Sequence, residues 1–183
     1  MDEKELLWSV QQRRLLLQTP VIGLYAQTER AANGVTGEYI AMQAPGWVMV
    51  VPVLGGDFVT VTQWRHGLEG LSVEFPGGVA DENEPPEQAA RRELLEETGF
   101  RAGRLTLLGQ CNPNPALFKN RFFCYLAEDL EPTGAQALDA DELLHCRLTP
   151  IPEVLARFGD ESYPHALMGT ALFWYLRHIK NDR

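Results

Sequence analysis

Apolar and polar positions along the chain fall into segments of two periods, separated by turn-forming residues. Residues 3–17 carry Leu6, Leu7, Val10 and Leu17, and their spacing predicts a helix with one apolar side that closes before Pro20. Beyond Pro20 the pattern predicts strands at Val21–Gln27 and Gly37–Met42, with Asn33-Gly34 in the turn-rich stretch between them. This helix and β-hairpin make an N-terminal extension over residues 1–45, and Pro45-Gly46 marks the expected boundary with a main domain over 46–183. Trp47–Leu54 and Phe58–Trp64 predict two strands joined at Gly55-Gly56-Asp57, followed by a short strand at Ser72–Phe75 that runs into Pro76-Gly77-Gly78. A helix is expected from Pro86 to Thr98, stopped by Gly99. Strands follow at Arg104–Gly109, Arg121–Ala127 and Leu143–Leu148, with a polar loop over Glu128–Asp141 and helices at Pro152–Phe158 and Pro164–Ile179. Strands mixed with helices, without regular alternation, indicate an α/β (α+β) fold with a mixed sheet flanked by helices.

Length and charge narrow the functions. The chain has 183 residues, 45% hydrophobic and 22% charged, which suits one domain with an extension and is too apolar for disorder. A formal net charge of −9 opposes general binding to nucleic acid or an anionic membrane, yet suits a site where carboxylates recruit a cation and the cation recruits an anion. The acidic start, Met1-Asp2-Glu3-Lys4-Glu5, has no secretory pattern, and Trp47–Leu54 is far shorter than the roughly 20 residues of a membrane helix. Cys111, Cys124 and Cys146 lack paired spacing and read as buried reduced thiols. The expected location is the cytoplasm.

The densest chemistry lies between Asp81 and Glu97, where seven acidic residues accompany only Arg91 and Arg92. Glu93, Glu96 and Glu97 stand at i, i+3 and i+4, which puts three carboxylates on one face of the helix. Their repulsion calls for a positive group among them. Arg92 relieves part of it, and a divalent cation relieves more, with oxygen donors favouring magnesium, manganese or calcium over zinc. Ala89, Ala90 and Leu94 occupy the opposite face, ready to pack on a sheet.

Gly78, five residues, Glu84, seven residues and then Arg92-Glu93-Leu94-Leu95-Glu96-Glu97-Thr98-Gly99-Phe100 resemble the Nudix box at every specified position. Seven fixed letters at about 7% usage each match by chance on the order of 10⁻⁸ per start point. The resemblance implies an α/β/α sandwich in which the box forms a loop–helix–loop. It implies Mg2+-dependent hydrolysis, with Mn2+ as a substitute, of a nucleoside diphosphate linked to another group. It also implies that Glu93, Glu96 and Glu97 bind metal, that Arg92 orients one of them, and that the backbone of Gly78 approaches the metal. Glu84 matches the outer glutamate, with a structural part. The attacking water's proton goes to Glu93 or to a carboxylate outside the box.

Outside the box the chain resembles the ADP-ribose pyrophosphatase group, or ADP-sugar hydrolases. Gln63-Trp64-Arg65-His66-Gly67 with Val73-Glu74-Phe75-Pro76-Gly77-Gly78 is similar to that group's QYR…ELPGG segment, and Pro115, 16 residues beyond Gly99, lies near its marker proline. In that group an N-terminal extension builds a swapped homodimer, here to be covered by the apolar C-terminal helix. Arg65 then bridges substrate phosphates or pairs with a local acid, Glu74 joins the metal site or stays structural, and Trp64 is core or a stacking platform. Tyr25 and Tyr39 stack on adenine or pack within the hairpin. Within Asp139-Ala140-Asp141-Glu142, a loop resembling the one that delivers the group's catalytic glutamate, Glu142 is the candidate base. One departure stands out: Pro113–Arg121 has no acid, and Lys119 and Arg121 take the place of the group's glutamate. The four histidines show no ligand spacing. Competing substrates are GDP-mannose, dinucleotides and nucleoside triphosphates, and a nucleotide sensor that does not hydrolyse is the alternative from another class.

Overall fold

The structure is a computed structural model that describes residues 2–134, 136–138, 140 and 142–181. The chain divides into two compact units, one formed by Met1–Pro45 with Asn112–Arg121, the other by Gly46–Cys111 with Phe122–Arg183.

The first unit is a three-stranded antiparallel meander of β1 (Trp8–Gln18), β2 (Gly23–Ala31) and β3 (Thr36–Gln43). The expected helix over 3–17 is therefore corrected to a strand. Only Glu3–Leu6 keeps a helical turn, a 3-10 turn whose Lys4 N–H is capped by Asp2 Oδ1 at 3.1 Å. Local spacing in this segment suits a helix, but a partner strand decides the outcome. Thr19 accepts the Val21 and Ile22 N–H groups on Oγ1, at 3.2 and 2.9 Å, and its own N–H donates to Ile22 O at 2.9 Å. That tight turn folds β1 back along β2 from Gln18↔Gly23 to Trp8↔Ala31, so the backbone groups of β1 are satisfied across strands, and pairing overrides helix propensity. Every residue of β1 is exposed. The segment Asn112–Arg121 is tied to β3, because Met42 N–H donates to Leu117 O at 2.7 Å and Lys119 N–H to Met42 O at 2.9 Å.

The second unit holds β4 (Trp47–Leu54), β5 (Asp57–Arg65), β6 (Gly70–Glu74), α1 (Pro86–Thr98), β7 (Phe100–Cys111), β8 (Phe122–Pro132), β9 (Leu144–Pro150), α2 (Ile151–Arg157) and α3 (Ala166–Asn181). The strand over 122–132 extends into the stretch expected as a polar loop. Strand order is β6-β5-β4-β8-β7, with β9 on β5; β4 and β8 run parallel and the other pairs antiparallel, which makes the sheet mixed. Alternation along the central strands produces the layers. Val48 and Val50 of β4 with Tyr125 and Ala127 of β8 join Ala89, Ala90 and Leu94 of α1 in one core cluster. Their neighbours Met49, Val51, Cys124 and Leu126 face the other way, into a cluster with Val154 of α2 and Met168, Ala171 and Leu172 of α3. This is an α/β/α sandwich. Among the described residues no helix is long and apolar enough to cross a membrane.

Candidate active site

The site is built where the chain leaves β6 and enters α1. Ala89 is expected on the face opposite the carboxylates, but at i and i+4 spacing from Glu93 and Glu97 it shares theirs, so burial of Ala89, Ala90 and Leu94 against the sheet turns Glu93 and Glu97 inward, with 7% and 2% exposure. Gly77 holds a φ of +154°, and a Cβ there would lie 2.2 Å from Val48 O, so only glycine fits the turn. Its N–H donates to Glu97 Oε2 at 2.8 Å. A Cβ on Gly78 would lie 2.6 Å from Glu93 Oε1, so the missing side chain is what lets that carboxylate rest against the loop backbone.

Arg92 organises the acids. Its Nε and Nη2 donate to Glu84 Oε1 and Oε2 at 3.0 and 2.9 Å, and Nη2 also reaches Val79 O at 3.0 Å. Its Nη1 donates to Glu93 Oε1 at 2.9 Å and Glu96 Oε2 at 3.0 Å. The outer glutamate thus grips the arginine that spans two box carboxylates. The Glu84 carboxyl is held below its ordinary range, chiefly by this hydrogen bond from Arg92.

One guanidinium does not balance three glutamates. Burial raises Glu93 to about 7, against the pull of Arg92 and with further repulsion from Glu96 and Glu142. Burial also raises Glu97 to about 8, against the Gly77 N–H and with repulsion from Glu93 and Glu142. Arg92 beside Glu93 and the charge of Arg65 on Glu97 do not offset the loss of water around the two carboxyls. Among the described residues no group of three or more His, Cys, Asp or Glu side chains stands gathered around a common point for a metal, and Arg92 Nη1 lies between Glu93 and Glu96. The donor set nevertheless fits a hard divalent cation: carboxylate oxygens only, two of the three groups buried and repelled by neighbouring acids, and a glycine backbone alongside.

Arg65 and Glu142 complete this neighbourhood. Arg65 ends β5 and feels the charges of Glu97 and Glu142, and its guanidinium forks onto Glu74, with Nε to Oε1 at 2.9 Å and Nη2 to Oε2 at 2.6 Å. Glu74 is thereby engaged by Arg65 through both oxygens. Trp64 is half exposed and, one residue from Arg65 on the pleated strand, lines a groove of 490 Å³ with Leu71, Glu142, Leu143 and His145. Asp139 and Asp141, the other acids of the late loop, lie outside the described residues.

Tyr25, Tyr39 and Pro115 belong to the first unit. The register Tyr39↔Gln27 and Ala41↔Tyr25 puts both tyrosines on one face of the meander. Arg13 lies over the Tyr25 ring at 5.4 Å and Trp8 meets Tyr39 edge-on at 5.5 Å. Pro115 is exposed in the loop attached to β3. The sequence offered no sign of His165, whose Nε2 lies 3.8 Å from Glu74 Oε2. It stands 91 positions beyond its partner, and no local spacing connects them.

A mixed sheet lies between helical layers, and a glycine turn sits against the buried carboxylates of α1. A model of the NUDIX domain matches residues 45–167, and the chain belongs to the Nudix family, as a pyrophosphatase. It is 29% identical to the "ADP compounds hydrolase NudE" of Escherichia coli, over 82% of each chain. It is 33% identical to the "ADP-ribose pyrophosphatase" of Bacillus subtilis, over 74% of each. A crystal structure of an ADP compounds hydrolase superposes with a TM-score of 0.85 at 25% identity, over 96% of this chain and 95% of that one. Nudix hydrolases in general act with a divalent metal on small nucleotide substrates.

Proposed function

We propose that this hydrolase cleaves the pyrophosphate bond of ADP-ribose or a related nucleotide sugar, giving AMP and a sugar phosphate, with Mg2+ as the working cation and Mn2+ as a substitute. The observation that carries the chemistry is the pair of buried carboxylates, Glu93 and Glu97, raised to about 7 and 8 beside a glycine turn. Burial favours their protonated forms, and a bound cation would favour the charged forms by supplying the positive charge they need. Similarity to the ADP-ribose pyrophosphatase of Bacillus subtilis, together with the segments around Arg65 and Glu74, supports the choice of substrate.

Glu93, Glu96 and Glu97 would hold the metal, with the backbone at Gly78 beside it, and Arg92 keeps Glu93 and Glu96 in register. When bound, the cation withdraws charge from the phosphoryl oxygens and acidifies water. Arg65 presents its remaining N–H groups to a diphosphate oxygen, and an arginine suits that task because its donors are planar and its charge permanent. Glu142, or Glu93, takes the proton of the attacking water. Trp64 offers a flat surface to a substrate group. The exposed β1 is covered by a second copy, and in that homodimer Tyr25 and Tyr39 stack on the adenine, with Pro115 at the edge of the same loop–sheet unit. Nothing in this scheme needs nucleic acid or a membrane, and a cytoplasmic setting suits it.

The test is product analysis on a panel of nucleotide sugars, dinucleotides and nucleoside triphosphates with Mg2+ or Mn2+, beside Glu97→Gln. Preferential cleavage of ADP-ribose, lost in the variant, is the expected result. Preference for GDP-mannose, a dinucleotide or a triphosphate would overturn the substrate and keep the chemistry. Tight nucleotide binding with no turnover would make the chain a sensor.

A further inference from the structure

We propose that buried Glu74, with half-buried His165 beside it, forms a mount for Arg65, and that Glu74 is a positioning residue for the substrate's diphosphate rather than a metal ligand. This inference rests on the reading of Arg65 as a phosphate-binding group.

The mount is built into the β5–β6 hairpin. Arg65 ends β5 opposite Gly70, and Glu74 ends β6 opposite Val61. Glu74 has no exposed surface, whereas the Arg65 side chain keeps 40% exposure. The two bonds of 2.9 and 2.6 Å occupy the Nε edge of the guanidinium and one hydrogen of Nη2. They leave Nη1 and the outer hydrogen of Nη2 for a second anion. Burial would push the Glu74 carboxyl upward, but the hydrogen bond and charge of Arg65 hold it below its ordinary range and therefore ionised. His165 immediately precedes α3, and at 3.8 Å from Glu74 it is beyond hydrogen-bond reach. Burial, opposed by Glu74, pushes the His165 imidazole below its ordinary range, so at neutral pH it stands uncharged on the Oε2 side of the carboxylate.

Such a mount answers a problem the site creates for itself. Arg65 stands in the field of Glu97 and Glu142. An untethered arginine there would fold onto those acids, as Arg92 bridges Glu93 and Glu96. It would then compete with the cation and lose the phosphate. The fork onto Glu74 meets the guanidinium's attraction to carboxylate from behind and keeps its outer edge open.

The experiment uses steady-state kinetics on the best substrate of the panel, with Arg65→Ala, Glu74→Gln, His165→Ala and the double variant Arg65→Ala/Glu74→Gln. Loss of one charge-assisted hydrogen bond corresponds to roughly 10–100-fold in binding. Arg65→Ala is therefore expected to raise KM by roughly that factor, with a smaller change in kcat. Glu74→Gln is expected to do the same, and His165→Ala to give a partial effect in the same direction. Added guanidinium ion is expected to restore KM in Arg65→Ala, where Glu74 remains to hold it, and not in the double variant. Dissociation constants for α,β-methylene-ADP give the same comparison without turnover, and melting curves identify any variant that fails to fold. If Glu74→Gln unfolds, rescue of Arg65→Ala in the wild-type background at residue 74, compared with Arg65→Ala/Glu74→Asp, carries the test. Unchanged KM in Glu74→Gln, or equal rescue in both backgrounds, would overturn the mount. Turnover that vanishes in Glu97→Gln while Arg65→Ala keeps its KM would uphold the hydrolase and reject this inference alone.

Discussion

Replacing Glu97 with glutamine separates the stability of the metal-free protein from its activity, because one buried carboxyl serves both. Glu97 is 2% exposed, its carboxyl accepts the Gly77 N–H at 2.8 Å, and burial raises it from 4.5 to about 8. A carboxyl raised on folding binds its proton more tightly in the folded state. Its contribution to stability is full below the unfolded value near 4.5 and is lost as pH rises through about 8. At about 1.4 kcal/mol for each pKa unit, the loss at pH 8 is about 4 kcal/mol. Glutamine stays neutral at every pH and keeps an oxygen for the Gly77 N–H, but its buried amide N–H2 loses water, at about 1–3 kcal/mol. The net expectation at pH 8 is a variant more stable than the metal-free wild type by about 1–3 kcal/mol, or about 2–12 °C for a chain of this size. At pH 5 the order reverses. Thermal unfolding followed by circular dichroism in chelator, from pH 5 to pH 8.5, reads this directly. Magnesium is expected to raise the melting temperature of the wild type at pH 8 and to have little effect on the variant. A variant less stable than wild type by the same margin at both pH values would refute the reasoning, since the cost would then come from shape and not from charge.

Arg92→Lys is expected to lose about 2–3 kcal/mol in urea unfolding, because a single ammonium cannot reproduce contacts to Glu84, Glu93, Glu96 and Val79 O; unchanged stability would show that the arginine's fork is dispensable. Gly77→Ala places a Cβ 2.2 Å from Val48 O, so a loss of about 2–4 kcal/mol together with weakened magnesium binding by calorimetry is expected. Sedimentation velocity at micromolar concentration is expected to show a dimer for the native chain and monomer for Leu15→Asp, a substitution on the exposed β1; a monomeric native chain would refute the assembly.

Much of the second unit was legible because its signals are local. α1 was placed at Pro86–Thr98 from a proline start and a glycine stop, and the structure has those bounds. Strand β4 was placed at Trp47–Leu54, likewise as found. A continuous apolar run and a capped amphipathic helix are each specified within their own residues. The spacing of Glu93, Glu96 and Glu97 set one face by helix geometry alone. The first unit went the other way. Residues 8–18 satisfy their backbone through β2, a partner that lies beyond the Thr19 turn, so apolar spacing within the segment carried no information about the outcome.

The sequence by itself determined the family, the layered fold, the helix of the box and the identity of its carboxylates, since spacing along one helix turns number into direction. Tertiary structure decided the charges and the partnerships. Glu93 and Glu97 rise to about 7 and 8 chiefly because the folded chain buries them, with repulsion from Glu142 brought from a distant part of the chain. Arg65 meets Glu74 because the hairpin register sets Glu74 opposite Val61, on the face that Arg65 shares, and the long arginine side chain spans the gap along β5, with His165 close to Glu74 from the start of α3. Local periodicity reports which way a residue points. What it will find there is fixed by contacts between segments distant in the chain.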